Sequence, residues 1–300
     1  MRVAVLGLGL MGRPIAHRLL DAGYELTVYN RTQARTDEFV ALGVHRAATP
    51  AEAWESADVC ITMVADGKAL EALTLGDGGL LLDPPNGGAI LVDMSTVAVD
   101  ASRRVADAAA LCGVSYLRAP VTGNPAVVTS GNLGIMVSGD DEAFGRVEEL
   151  LRAIGPNVWF LGSAEEARVM KLALNTMIAG TAELMAEALV LGEANGLDRA
   201  RMLEVMGQSA VGSPFVKYKT PALVANDYST TFSSAMMYKD LALALECANG
   251  AGVPLPVAAC IQQLVRGCMS SGMADLDLMA LVLRLEREAG RESLAELSLG

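Results

Sequence analysis

The first thirty-two residues leave few folds open to this chain. An apolar run, Val3 to Leu6, leads straight into Gly7-Leu8-Gly9-Leu10-Met11-Gly12. An amphipathic stretch follows to Ala22, Gly23 stops it, and a second apolar run covers Leu26 to Tyr29. Strand, glycine turn, helix, strand is the start of a parallel βαβ arrangement. Each glycine has its own reason to be there. Gly7 permits the tight turn out of the strand, Gly9 lets a pyrophosphate approach the backbone, and Gly12 lets the helix pack close to the strand. The helix N-terminus offers unpaired N–H groups and a partial positive charge to the phosphates. A lone glycine triplet is a weak signal. This one has the right flanks and a second strand that ends about 20 residues on, which predicts a dinucleotide site.

The end of that second strand bears on which dinucleotide. A carboxylate there would hold the ribose 2′-OH of NAD and repel a 2′-phosphate. The chain has Asn30, Arg31 and Thr32 instead. An amide, a guanidinium and a hydroxyl suit a 2′-phosphate, to which the arginine can make charge-assisted bonds. NADP(H) is therefore favoured. NAD(H) stays open, because Arg31 could equally be a solvated charge or stack on the adenine.

Further strand-like runs follow at Val59–Val64, Ala89–Val92, Ser115–Leu117, Ile135–Val137 and Val158–Leu161. Helix-like stretches such as Asp100–Leu111 and Asp141–Ile154 separate them, and a Pro/Gly cluster spans residues 83–88. This alternation predicts an α/β Rossmann domain, doubly wound with a mostly parallel sheet, over residues 1–162. Beyond Gly162 the character changes. Ala164 to Asn195 lacks proline and ends in Asn195-Gly196, a C-cap signal. It reads as one long interdomain helix that opens an all-helical domain, residues 163–300, with further helices from Asp198 to Leu297.

The apolar fraction of 52% supports a large core, and the net charge of −12 argues against a nucleic-acid partner and against an anionic membrane surface. No run of about 18 uncharged apolar residues occurs, so no membrane span is expected. The N-terminal apolar run reads as a first strand rather than a signal segment, and a cytoplasmic protein is expected. The five cysteines are scattered and odd in number, which suggests reduced, mostly buried thiols. The two histidines, His17 and His45, are isolated and lack metal-ligand spacing, so no metal site is expected.

With histidine set aside, Lys171 is the candidate proton carrier. Asn175 lies four residues on, so both leave one face of a helix. Spacing alone leans toward a solvated lysine beside a packing asparagine. The surrounding motifs reverse that. The opening GLGLMGRPIAHRL, Asp93-Met94-Ser95-Thr96, Ala119-Pro-Val-Thr122-Gly123-Asn124, Gly131-Asn-Leu-Gly-Ile-Met, Lys171-x-x-x-Asn175, and Phe232 with Lys239-Asp240-Leu241 occur in order. Together they resemble the β-hydroxyacid dehydrogenase family, which includes 3-hydroxyisobutyrate dehydrogenase, tartronate semialdehyde reductase and the glyoxylate/succinic semialdehyde reductases.

The resemblance implies a Rossmann domain, a long interdomain helix and an all-helical domain, in a homodimer or homotetramer. It implies Lys171 as general acid and base, with a small carboxylated substrate held by Ser95, Thr122, Gly123, Asn124, Asn175 and Lys239. It implies cofactor contacts from Gly7 to Gly12, from Asn30, Arg31 and Thr32, from Val64, Ala65 and Asp66, and from Thr96. Phe232, Lys239 and Asp240 would close over the site from the second domain, with Asp240 positioning Lys239. The expected reaction is reversible hydride transfer between a nicotinamide and a short β-hydroxy acid or its semialdehyde. Burial or a nearby cation such as Lys239 would make Lys171 a better base. Three stretches depart from the resemblance: Arg118 stands where an acidic residue is usual, Thr122-Gly123-Asn124 where Ser-Gly-Gly is usual, and Glu165 and Ala167 where glycines are usual. Two other readings remain: a relative that reduces imines, against which Lys171 argues, and a non-catalytic NADP-binding protein.

Overall fold

The computed structural model describes residues 1–55, 57–85 and 88–291. Asn86 and Gly87 of the expected turn, and residues 292–297 of the expected helical region, lie outside them. The chain forms two compact units, Met1–Lys171 and Leu172–Gly300.

In the first unit, β1 (Arg2–Leu6), β2 (Glu25–Tyr29), β3 (His45–Arg46), β4 (Val59–Thr62), β5 (Ile90–Asp93) and β6 (Ser115–Arg118) form a parallel sheet in the order β3-β2-β1-β4-β5-β6. That is the doubly wound dinucleotide-binding order. The middles of β1, β4 and β5 are apolar because both faces of the sheet are covered. Val3, Val5, Val28, Ile61 and Val92 belong to one core cluster, and Ala4, Leu6, Cys60 and Leu91 to another. Successive residues thus enter opposite layers, as a two-residue period requires.

The remaining strands, β7 (Val121–Thr122), β8 (Gly134–Val137) and β9 (Asn157–Phe160), make a separate mixed sheet. The sequence pattern runs these strands on from the others, and the structure parts them. Pro120 follows β6 and has no N–H for a parallel ladder. β7 then pairs antiparallel with β8, and among the described residues a single bridge, Arg118–Ser138, continues from β6.

One helix, Glu166–Ala194, runs for 29 residues. At 1.5 Å per residue that is about 44 Å. It ends where expected, with Gly196 at φ +84° closing the turn beyond it. By length and composition it is apolar enough to cross a bilayer, with 44% of its most apolar stretch buried within the protein. Ala179, Ala182, Met185, Ala186 and Leu189 give that helix its buried face in the second unit's core. Further helices there are Arg199–Gln208, Pro214–Val224, Ser234–Gly250, Pro256–Ser270 and Leu281–Glu288. The cysteines are less buried than expected: Cys60 and Cys268 are buried, but Cys112 and Cys260 are exposed. Cys112 caps the end of the Val99–Leu111 helix, where its thiol reaches the Leu81 carbonyl.

Candidate active site

The parallel register brings the C-terminal ends of five strands into one row: Tyr29, Leu6, Thr62, Asp93 and Arg118. The glycine turn follows Leu6, Val64-Ala65-Asp66 follow β4, Ser95-Thr96 follow β5, and Thr122-Gly123-Asn124 follow β6. The order of strands reverses beside β1, where such sheets open a crevice for a nucleotide.

The turn is shaped for a phosphate. Gly7 sits at φ +98°, and a Cβ there would lie 2.2 Å from the Met63 carbonyl oxygen. A Cβ on Gly12 would lie 1.8 Å from the Gly7 carbonyl oxygen. Gly9 differs: its Cβ would meet only Arg35 Nη1, at 3.9 Å. Two glycines are therefore demanded by packing, while the third faces a space that a pyrophosphate can fill. Leu10 is exposed beside it, and Met11 precedes the Gly12–Asp21 helix.

Asn30 acts differently from the expected phosphate contact. Its Oδ1 accepts from Leu8 N at 2.9 Å, and its Nδ2 donates to the Thr32 carbonyl at 2.9 Å. The side chain thus braces the glycine turn against the end of β2. Arg31 and Thr32 are exposed. Arg35, which the motif reading overlooked, joins Gly9, Leu10 and Arg13 around a cavity of about 660 Å³. Its signal was positional: a second cation four residues after Arg31 on the turn that follows β2.

Several hydroxyl and amide groups are already engaged. Ser95 is buried; its hydroxyl donates to Asp93 Oδ1 at 2.6 Å and accepts from Val64 N at 2.9 Å. Its side chain therefore shapes the loop, which leaves the Ser95-Thr96 backbone as the nearer candidate for ligand contact. Asn124 Oδ1 caps the Pro125–Thr129 helix through Val127 N at 3.0 Å, and Asp66 Oδ1 caps the Gly67–Leu75 helix through Ala69 N at 2.8 Å. Gly123 is at φ +143°, and a Cβ there would press on Leu133 and Val127 at 2.9 Å.

Lys171 is buried at 9% exposure. Arg168, one turn before it, is 1% exposed and bonded to Asp93, the Ser95 carbonyl, Tyr116 and Ser102. Burial opposes the Arg168 charge, but Asp93, Tyr116 and Glu165 outweigh it and hold its pKa above the usual arginine value. The Tyr116 hydroxyl is likewise pushed up, first by burial and then by Asp93. Two of the departures also prove to be partners: Arg118 donates through Nε and Nη2 to Glu165 Oε1, at 2.9 and 2.6 Å.

In the second unit, Asn175 Nδ2 donates to Asp240 Oδ2 at 2.5 Å, and Lys239 Nζ lies 3.2 Å from Asp240 Oδ1. Asp240 thus orients the amide as well as the ammonium. Phe232 is held by its backbone: its N–H donates to Asp277 Oδ2 at 3.3 Å, and its carbonyl accepts from Leu278 N at 2.9 Å. Burial acts to raise the Asp277 pKa, yet Lys219 and surrounding N–H donors hold it below the usual carboxylate value. Of the two histidines, His17 packs its ring on Phe39 and lines the same cavity as Arg35, while His45 is exposed.

A doubly wound sheet with a glycine turn open at Gly9, and a buried lysine one turn beyond an arginine bonded to the same edge, fits a Rossmann-type nicotinamide-dependent oxidoreductase. Comparison with known proteins agrees. Residues 2–162 match the NAD binding domain of 6-phosphogluconate dehydrogenase, and residues 166–285 match the family described as NAD-binding of NADP-dependent 3-hydroxyisobutyrate dehydrogenase. The chain is 36% identical to 3-hydroxyisobutyrate dehydrogenase of Pseudomonas aeruginosa, over 87% of this chain and 90% of the relative. It is 35% identical to NAD-dependent L-serine dehydrogenase of the same organism, over 92% and 95%. The structure of Mycobacterium tuberculosis 3-hydroxyisobutyrate dehydrogenase with L-serine superposes with a TM-score of 0.85 at 27% identity, covering 95% of this chain and 99% of that one. The chain belongs to the β-hydroxyacid dehydrogenase family, and is an NAD(P)-dependent oxidoreductase.

Proposed function

We propose that the protein interconverts a short carboxylated aldehyde and the matching β-hydroxy acid with NADP(H), and that Lys171 carries the proton. The observation that supports this most is the burial of Lys171 one turn beyond Arg168, whose guanidinium is bonded to the loop after β5. The glycine turn holds the pyrophosphate, and Arg31, Thr32 and Arg35 meet the 2′-phosphate. When bound, the nicotinamide supplies or takes up a hydride at the substrate carbon that bears oxygen. In reduction Lys171 gives its Nζ proton to that oxygen; in oxidation it removes the hydroxyl proton. Asn175, oriented by Asp240, fixes the same oxygen. Thr122, the Gly123 N–H, the amide NH₂ of Asn124 and Lys239 hold the carboxylate. Val64, Ala65, Asp66, Thr96, Phe232 and Asp240 complete the proposed cofactor surroundings. L-serine and 3-hydroxyisobutyrate, the substrates named in the relatives, are both short β-hydroxy carboxylates, which supports this substrate class. The same reading carries a homodimer or homotetramer, supported by a row of exposed apolar side chains on the long helix.

The test follows NADPH and NADH oxidation at 340 nm with methylmalonate semialdehyde, which gives a β-hydroxy acid, and with glyoxylate and succinic semialdehyde, which give α- and γ-hydroxy acids and so test the position of the hydroxyl. The reverse reaction uses L-serine and 3-hydroxyisobutyrate. Lys171→Ala is the control. We expect turnover with at least one pair, reduced about 10²-fold or more in the variant at unchanged NADPH affinity. A variant that turns over like wild type removes Lys171 from the mechanism. Tight NADPH binding with no turnover on any member would favour a binding role, and turnover confined to an imine panel would favour the imine-reducing relatives.

A further inference from the structure

We propose that Arg168 is a positioning residue for the proton carrier: its guanidinium fastens the first turns of the long helix to the Asp93–Ser95 segment and so fixes where Lys171 stands. This rests on the reading of Lys171 as the proton carrier.

The burial of Arg168 needs a reason. Arginine is almost never fully buried unless paired, and taking such a charge out of water costs several kcal/mol. An apolar side chain of similar volume would fill the same space without that cost. What it could not do is make Arg168's bonds. Nη2 reaches Asp93 Oδ2 and, at 3.0 Å, the Tyr116 hydroxyl. Nη1 donates to the Ser95 carbonyl, and Nε to Ser102 Oγ at 3.3 Å. The planar fork therefore ties one helical residue to the end of β5, to β6 and to the helix Val99–Leu111.

Asp93 is where these ties meet the cofactor's loops. Its Oδ1 accepts from Thr62 Oγ1 at 2.7 Å, from Ser95 N at 3.1 Å and from Ser95 Oγ at 2.6 Å. Ser95 Oγ in turn accepts from Val64 N at 2.9 Å. One carboxylate thus sets the backbone at Val64 and at Ser95, and through Arg168 sets the helix as well. Lys171 is three residues further on, a rise of about 4.5 Å.

A single tether leaves a helix free to swing about it. Here there are two, because Glu165, immediately before the helix, takes both Arg118 donors. The two tethers fix both the height and the rotation of this turn. A misplacement of about 1 Å in a reacting group can cost about 10²-fold in rate, so holding Lys171 to that tolerance is a catalytic requirement.

Arg168→Ala would leave Asp93 unpaired and can fail to fold. The informative variant is Arg168→Met with Asp93→Asn. It removes both charges, keeps the volume and retains a side-chain amide oxygen to accept from Ser95 and Thr62. Arg168→Lys, which keeps Asp93 paired but cannot fork, gives the same readout should the double variant not fold. We expect a near-wild-type Tm and NADPH Kd, a kcat lowered about 10- to 100-fold, and a solvent deuterium isotope effect on kcat larger than wild type's, because proton transfer has become the slow step. A kcat within twofold of wild type, or a loss of rate with an unchanged isotope effect, overturns the proposal. Lys171→Ala, measured alongside, separates the two ideas. If it is inactive while the Arg168 variants are normal, only this inference falls; if it is active, the reading of Lys171 itself falls.

Discussion

On the proposed NADP(H) reading, the cofactor preference turns on Arg31. It is exposed at the end of β2, and Asn30, which the sequence offered as its partner, is occupied in bracing the glycine turn. On that proposed reading, recognition of the 2′-phosphate would fall to Arg31, Thr32 and Arg35. Arg31→Asp places a carboxylate where a ribose 2′-OH would be welcomed and a 2′-phosphate repelled. We expect the ratio of kcat/KM for NADPH over NADH to fall at least about tenfold, since one charge-assisted contact is worth roughly 1.5–3 kcal/mol. An unchanged ratio would move the preference elsewhere. At this scale the sequence was most informative where chemistry demands fixed spacing, as in the three glycines and the Lys171–Asn175 pair. It was least informative where partners are remote. Arg118 and Glu165 read as two unrelated departures, because nothing local relates residues 47 positions apart. In the fold they neutralise each other.

The strand–turn–helix opening shows the same contrast at the level of an element. Its strands were legible because burial on both faces makes their middles mostly apolar. β3 and β7, two residues each, carry too short a signal to be seen. The glycines look alike in the sequence but not in the structure, and this separates folding from binding. Gly12→Ala forces a Cβ against the Gly7 carbonyl oxygen, so backbone must move. We expect a loss of at least about 2 kcal/mol in unfolding free energy, read by urea denaturation without cofactor. Gly9→Ala meets no backbone and should leave that stability within about 0.5 kcal/mol. It should nevertheless weaken NADPH binding at least about tenfold, since the methyl occupies the space left for the pyrophosphate. Equal effects of the two substitutions on stability would show that Gly9, too, is there for packing.

For the molecule as a whole, the long helix poses a problem that one chain does not solve. Its buried face, Ala179 to Leu189, lies in the second unit's core. A different set of side chains, Met170, Met177, Leu184 and Leu191, is 41%, 71%, 67% and 68% exposed. Single exposed apolar residues are ordinary. These four recur every seven residues, and because a straight helix drifts only about 20° per heptad, they stay on one face for about 32 Å. A helix apolar on two faces has one face left to cover. A second copy of the chain can cover it by presenting the same row in reverse, since a two-fold axis makes a patch its own partner. We therefore expect light scattering on a sizing column, at micromolar concentration, to give at least a dimer. We further expect Met177→Glu with Leu184→Glu to lower the mass to that of a monomer while far-ultraviolet circular dichroism stays unchanged, because both side chains are solvent-facing in the single chain. A monomeric wild type, or a double variant that keeps the oligomeric mass, would mean that the row is not the interface.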